Sequence, residues 1–274
     1  MESVKERFLR YVSVDTQSKD GQESIPSTEK QFHLANMLKE ELVRLGAEDV
    51  EVSDHCYLTA TIPANTDKDL PVIGLISHLD TSEEASGKDV HPVVTEKYDG
   101  GSIPMANGKA LSPADFPDLM KYLNKTIIST DGTTLLGADD KAGIAEIMTL
   151  TEKLLSGNAA PHGKIRIAFT PDEEVGRGVD AFDVEGFGAD FAFTVDGGEL
   201  GELNYESFNA ASAQIEIEGF SIHTGSARGK MKNAALMAME LHSLLPPFMN
   251  PACTDGREGF FHLGTIKGGV EKQR

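Results

Sequence analysis

Glu173 and Glu174 stand side by side in Thr170-Pro171-Asp172-Glu173-Glu174-Val175-Gly176, directly after an apolar run over residues 165–169. Two adjacent carboxylates at the end of a buried strand are costly unless a cation or a reaction uses them. Three further acidic or imidazole groups occur at the ends of other elements: His78 with Asp80, the Asp139-Asp140 pair, and Asp196 before Gly197-Gly198. An imidazole can bind a metal through one nitrogen while a nearby carboxylate orients it, which suits His78 and Asp80. Neighbouring glutamates can diverge, one toward a metal as ligand and one toward a water as general base. Two metals about 3.5–4 Å apart need a bridging carboxylate, for which Asp140 is a natural choice, with Asp196 on the second ion. Each group has a plainer reading. Asp139 or Asp140 could cap a helix, although one suffices for that, and Asp196 fits an Asp-Gly turn. Four such clusters together point to a metal-dependent hydrolase.

The elements that must position these groups are legible as hydrophobic patterns. Short helices are predicted over residues 4–12 and 27–45, the second with Phe32, Ala35, Leu38, Leu42 and Leu45 on one face and Ser27 or Thr28 as its cap. Strands are predicted over 50–52, 57–62, 72–77, 165–169 and 191–195, and a helix over 144–155. The run over 72–77 is continuously apolar, as in a strand covered on both faces, and it delivers His78-Leu79-Asp80 to the sheet's carboxyl edge. Residues 83–131 are rich in Gly, Pro, Asp and Lys and read as a functional loop. Alternating strands and helices argue for an α/β layer fold with its site at the strand ends. After about residue 208 the pattern changes. An alternating strand over 213–218, a helix over 233–245 with Ala234, Met237, Leu241 and Leu244 inward, and a strand over 261–266 begin a second module. The expected domains are therefore 1–208, catalytic, and 209–274, a smaller lid.

Composition removes other classes of function. The 274 residues carry 25 Lys plus Arg against 44 Asp plus Glu, a formal net charge of -19. Such a field repels phosphate backbones and anionic membrane surfaces, so neither nucleic acid nor membrane is an expected partner. No apolar run approaches the roughly 20 residues of a membrane span. The mixed charges of Met1-Glu2-Ser3-Val4-Lys5-Glu6-Arg7 are unlike an export signal, which favours the cytoplasm. Cys56 and Cys253 are the only cysteines, so if zinc is present its ligands must be carboxylates and imidazoles. No dinucleotide or phosphate-loop glycine motif is present, and Ser82 and Ser86 have no nucleophile elbow around them.

Five stretches carry a resemblance: 11–18, Ser77-His78-Leu79-Asp80-Thr81, 136–143, 169–176 and Thr194-Val195-Asp196-Gly197-Gly198. Together, over essentially the whole chain, they resemble the M20 family of dinuclear zinc peptidases. The resemblance implies an α/β catalytic domain, with a mixed central sheet flanked by helices, followed by a small α+β, ferredoxin-like lid that makes a homodimer. It implies cytoplasmic release of the N-terminal residue from tripeptides by zinc-activated water, with two Zn2+ per subunit. His78 and Asp196 would bind one zinc, Glu174 the other, and Asp140 would bridge them. Asp80 would orient the His78 side, and Glu173 would be the general base that returns its proton to the departing amine. His223, in Ser221-Ile222-His223-Thr224-Gly225, which alone reads equally as an exposed loop histidine, would stabilise the oxyanion across the dimer interface. A dipeptidase or deacylase of the same family is the alternative.

Two departures modify these expectations. In the family the chain returns from the small domain and supplies a final zinc-binding histidine, whereas here the sequence stops within that domain. His242 and His262 both fall on small-module elements and are no replacement. The expectation is a truncated product, poorly stable and weakly active or inactive, since a sheet without its last elements exposes apolar surface and edges. The family's His-Pro-Gly is also His223-Thr224-Gly225 here.

Overall fold

The computed structural model describes residues 1–273, which divide into two units, Met1–Leu203 and a second from Asn204 onward. In the first, three longer helices, α1 (Val4–Val12), α2 (Gln31–Leu45) and α3 (Ala138–Leu155), and one short one accompany nine strands. These are β1 (Glu48–Val52), β2 (Leu58–Ile62), β3 (Ile73–His78), β4 (Pro92–Thr95), β5 (Ile103–Pro104), β6 (Ala110–Leu111), β7 (Ile127–Thr130), β8 (Ile165–Thr170) and β9 (Phe191–Thr194). The central sheet runs β1-β2-β8-β3-β9. Its β1-β2 and β2-β8 pairs are antiparallel, while β3 runs parallel to both β8 and β9. It is thus the mixed sheet expected of the family. The three helices pack on one another, with α2 and α3 against the sheet. Between them lies one core that includes Leu34, Leu38, Leu58, Ile144, Ile167 and Phe169.

Period two sends Gly74 and Arg166, which are register partners, away from Leu75 and Ile167 in that core. On that side runs a short helix, α4 (Val184–Phe187). Arg166 Nε donates to the Phe187 carbonyl at 2.7 Å. A Cβ on Gly74 would meet the Phe187 ring at 2.8 Å, so only glycine lets the ring lie this close.

Several elements differ from the pattern read in the sequence. Helix α2 begins at Gln31, four residues late, and no side chain caps it. Ser27 is drawn off to a buried carboxylate, Asp172, at 2.6 Å. Residues 83–131 are not one irregular loop, because β4 pairs with β7 and β5 with β6, both antiparallel, around the buried Tyr98 and Ile103. In the second unit the strand expected over 213–218 shrinks to β10 (Ile217–Glu218), and 261–266 form none. The partner of β10 is β11 (Lys272–Gln273), antiparallel. The helix there, α5 (Ala234–Ser243), buries Ala234 and Ala238 but leaves Met237, Leu241 and the flanking Leu244 exposed. A two-stranded sheet is too small to cover an apolar helix. No helix among the described residues is long and apolar enough to cross a membrane.

One buried ion network holds α1 to its neighbours. Arg7 donates to Glu41 at 2.8 Å and to Glu152 at 2.7 Å, and Tyr11 Oη and Arg10 both donate to the second Glu41 oxygen at 2.9 Å. Removing one member of such a group leaves the others buried and uncompensated. Glu41→Ala should therefore cost about 3–5 kcal/mol in denaturant unfolding. A loss under about 1 kcal/mol would show the network to be no better than a surface ion pair.

Candidate metal centre

Strands β8, β3 and β9 run parallel, so their carboxyl ends lie along one edge, where α/β sheets collect their sites. His78 ends β3, opposite Thr170 of β8. Glu173 and Glu174 follow three and four residues beyond Thr170, and Asp196 two beyond the end of β9. Asp139 and Asp140 open α3 with non-helical backbone, but neither side chain makes a cap hydrogen bond to the helix's first turn; Asp140 takes the His78 N–H and Asp139 lies against the His78 ring instead. Helix capping therefore does not account for the pair.

The His78 ring is the hub. Its Nε2 lies 2.8 Å from Asp139 Oδ1, 3.9 Å from Asp196 Oδ2 and 4.0 Å from Glu173 Oε2. Its Nδ1 lies 3.2 Å from Asp80 Oδ1. Asp80, fully buried, also accepts the backbone N–H of Glu173 at 3.0 Å and of Glu174 at 3.1 Å. Asp140 is buried and accepts the His78 N–H at 3.1 Å. Two trios bring one ligand atom each to within 4.8 Å of one another: His78, Asp140 and Asp196, and His78, Asp139 and Glu174.

Six of the residues singled out in the sequence thus meet at one place: His78, Asp80, Asp140, Glu173, Glu174 and Asp196. His223 lies in the second unit, exposed, where its Nδ1 accepts the Gly225 N–H at 3.2 Å. His242 is in α5 and His262 in an irregular segment. Asp139 was seen in the sequence only as half of a pair. Its closeness to the ring depends on the turn into α3, which no local pattern reveals.

The electrostatics are those of a cation site. Burial pushes the Asp140 carboxyl up to about 8, with Asp196 adding to the rise and His78 opposing it. Burial, with the neighbouring carboxylates adding to it, also raises Glu173, Glu174 and Asp196, again against His78. For His78, burial favours the neutral ring, but Asp80, Asp140 and Asp139 outweigh it and hold the imidazolium up to about 10. Six carboxylates around one imidazole, four of them with raised proton affinity, form a hard donor set that fits one or two divalent ions.

The sign of the pH dependence follows. A folded-state value raised above the unfolded one favours the protonated form, so the stability it lends is lost as pH rises. Without metal, the chain should lose stability as pH climbs through 8 for Asp140 and on to 10 for His78. A bound cation needs both groups deprotonated, so its affinity should rise over that window with release of about one to two protons at pH 7. Calorimetry in buffers of different ionisation heat reads this number directly, and zero release would contradict the protonated resting state.

Beside the centre opens a cavity of about 550 Å³ that carries His78, Glu173 and Asp196, with Val179, Phe182 and Phe187 in its wall.

Comparison with known proteins supplies a context for this arrangement. Residues 205–273 match the family described as a peptidase dimerisation domain. The chain is 54% identical over 278 residues to the peptidase T of Alkaliphilus oremlandii, an alignment covering all of this chain and 68% of that one. It is 53% identical over 276 residues to the peptidase T of Halothermothrix orenii, with the same coverages. Among solved structures, aminopeptidase PepT from Bacillus cereus matches with a TM-score of 0.62 at 22% identity, over 98% of this chain and 64% of that one. A tripeptidase from Staphylococcus aureus gives 0.61 at 22%, over 98% and 63%. At that identity the two structures speak for the fold. The chain spans about two thirds of the length of the curated relatives and slightly less of the solved ones.

Proposed function

Because the chain belongs to the peptidase T family, we propose that the cluster around His78 is a dinuclear zinc centre that releases the N-terminal residue from tripeptides. The observation that carries this reading is the convergence of carboxylates from the ends of β8 and β9 and the start of α3 on one imidazole at the end of β3. His78 and Asp196 would hold one zinc ion, Glu174 the other, and Asp140 would be shared. Asp139 stands close enough to Glu174 to contribute to the second position. Zinc in such a centre supplies Lewis-acid polarisation of the scissile carbonyl and activation of water near neutral pH.

The protein's own groups do the rest. Asp80 holds His78 Nδ1, which leaves Nε2 for the ligand role. Glu173 takes the proton of the attacking water on its carboxylate as oxygen adds to the carbonyl carbon. It returns that proton to the amine nitrogen as the C–N bond breaks. Its burial-raised proton affinity suits both halves of that task. The cavity is of the size that holds a small peptide. We read the second unit as a ferredoxin-like lid and dimerisation module, through which His223 would meet the oxyanion of the partner's substrate. Two unpaired cysteines accord with a cytoplasmic setting.

The test is release of the N-terminal residue from a tripeptide by the zinc-loaded chain, with a dipeptide, a tetrapeptide and an acylated amino acid run beside it. Turnover confined to the tripeptide and lost on chelation is expected. Preference for the dipeptide or the acyl substrate would instead identify a dipeptidase or deacylase. Zinc binding without any turnover would make this chain a metal-binding product only.

A further inference from the structure

Asp172, the residue before the glutamate pair, takes no part in the mechanism above, yet it is fully buried and every polar atom of its side chain is engaged. Its Oδ1 accepts from Ser27 Oγ and from Gln31 Nε2, both at 2.6 Å. Its Oδ2 accepts the Ser27 N–H, also at 2.6 Å. Its own N–H donates to Gln31 Oε1 at 3.2 Å, and its carbonyl accepts the Arg177 N–H at 2.9 Å. The Arg177 guanidinium then returns to the carbonyls of Gln22 at 2.6 Å and Ser24 at 3.1 Å. Asp172 also has φ +56°, the left-handed region that a non-glycine residue seldom enters unless its surroundings hold it there.

The segment that grips Asp172 is itself tied to the far side of the centre. Gln17 bridges to Thr81, three residues beyond His78, and Ser18 N–H donates to the Thr81 carbonyl at 3.1 Å. Thr28 Oγ1 donates to the Gln17 carbonyl at 2.8 Å, which closes the segment on itself. Residues 17–31 therefore form a brace from the end of β3 to the end of β8. The glutamates hang between two buried carboxylates, Asp172 on the brace side and Asp80 on the histidine side.

We propose that Asp172, held by Ser27 and Gln31, is a positioning residue that sets Glu173 and Glu174 against His78. The inference rests on the metal-centre reading above. It requires a carboxylate in particular. All three side-chain bonds are accepted by its oxygens, so an amide would lose an acceptor and turn N–H toward N–H.

The experiment measures zinc affinity of the intact chain by competition with a chromophoric chelator, together with the visible spectrum of bound cobalt(II) and the kinetics on a tripeptide. Asp172→Asn and Ser27→Ala should each weaken zinc binding by about 10–100-fold, alter the cobalt spectrum and lower kcat with little change in KM. Ser27→Thr, which keeps the hydroxyl and the N–H, should restore all three. Val12→Ala opens a cavity in the buried face of α1 and should lower the melting temperature without weakening zinc binding. Zinc binding by Ser27→Ala equal to the unaltered chain, or weakened as much by Val12→Ala, would overturn the proposal. Failure of the unaltered chain to bind zinc would instead overturn the metal-centre reading, and the inference with it.

Discussion

Glu173→Gln is expected to lower the hydrolytic rate by about 10²–10⁴-fold, the range in which positioned general bases act. Glutamine keeps the volume and both hydrogen-bonding atoms but cannot take a proton from water. KM should stay close to its original value, because an interaction used only in the transition state is being removed. Zinc affinity should also be retained, since the two ligand trios are His78-Asp140-Asp196 and His78-Asp139-Glu174, without Glu173. The control is Glu174→Gln, which should lose metal. Single-turnover kinetics with parallel metal analysis distinguishes the two glutamates. A Glu173→Gln protein that kept its rate would remove the proton carrier from the mechanism, and one that lost its zinc would exchange the two roles.

Gly143→Ala is expected to be the most damaging single methyl group in the centre. In an open helix, replacing glycine by alanine stabilises by about 1 kcal/mol. Here a Cβ would overlap the Val195 carbonyl oxygen and Asp140 Oδ1, and would come within 2.7 Å of Ser77 Oγ. Two of those neighbours cannot retreat cheaply. Val195 is held by its N–H to the Ile76 carbonyl at 2.7 Å, and Asp140 accepts from the His78 backbone. The first turns of α3 must move away from the sheet instead and take Asp140 with them. The sign of the effect should therefore reverse to a loss of about 1–3 kcal/mol, with metal affinity lowered about tenfold or more. Thermal unfolding and metal titration of the same preparation read both. A stabilised variant with unchanged affinity would mean that α3 and the sheet do not approach as closely as described.

Much of the frame could be read from the residues because the relevant signals are local. Continuous apolar runs end at His78 and just before Thr170-Pro171, and these became β3 and β8. Helix α1 begins and ends where its apolar face does, with Ser3 and Glu6 completing a reciprocal cap. The glutamate pair and His78-x-Asp80 stood out because charge at the end of a buried strand demands a reason. What stayed hidden depends on contacts between distant residues. Ser27 resembles a helix cap, and only the fold shows it 2.6 Å from a carboxylate 145 positions away. The join of Arg7 to Glu41 and Glu152 has no periodicity to betray it. Asp139 and Asp140 are indistinguishable as text, although one faces the ring and the other the His78 backbone. The strand expected over 261–266 did not form: among the described residues β10 pairs with Lys272–Gln273 instead, and the Phe261 N–H goes to the Met249 carbonyl.

Asp80 has a consequence for how this protein can change. One carboxylate faces the His78 ring and takes the backbone N–H groups of both glutamates. The histidine and the glutamate pair are therefore adjusted from a single point, and any shift at one reaches the others before it reaches solvent. Substitutions at positions 78, 80, 173 and 174 should be strongly non-additive, so that the second change in a double-mutant cycle costs far less than the first. For a lineage drifting under selection, such a group has no cheap intermediate. Its members persist together, or once one is lost the constraint on the rest is lifted at the same moment.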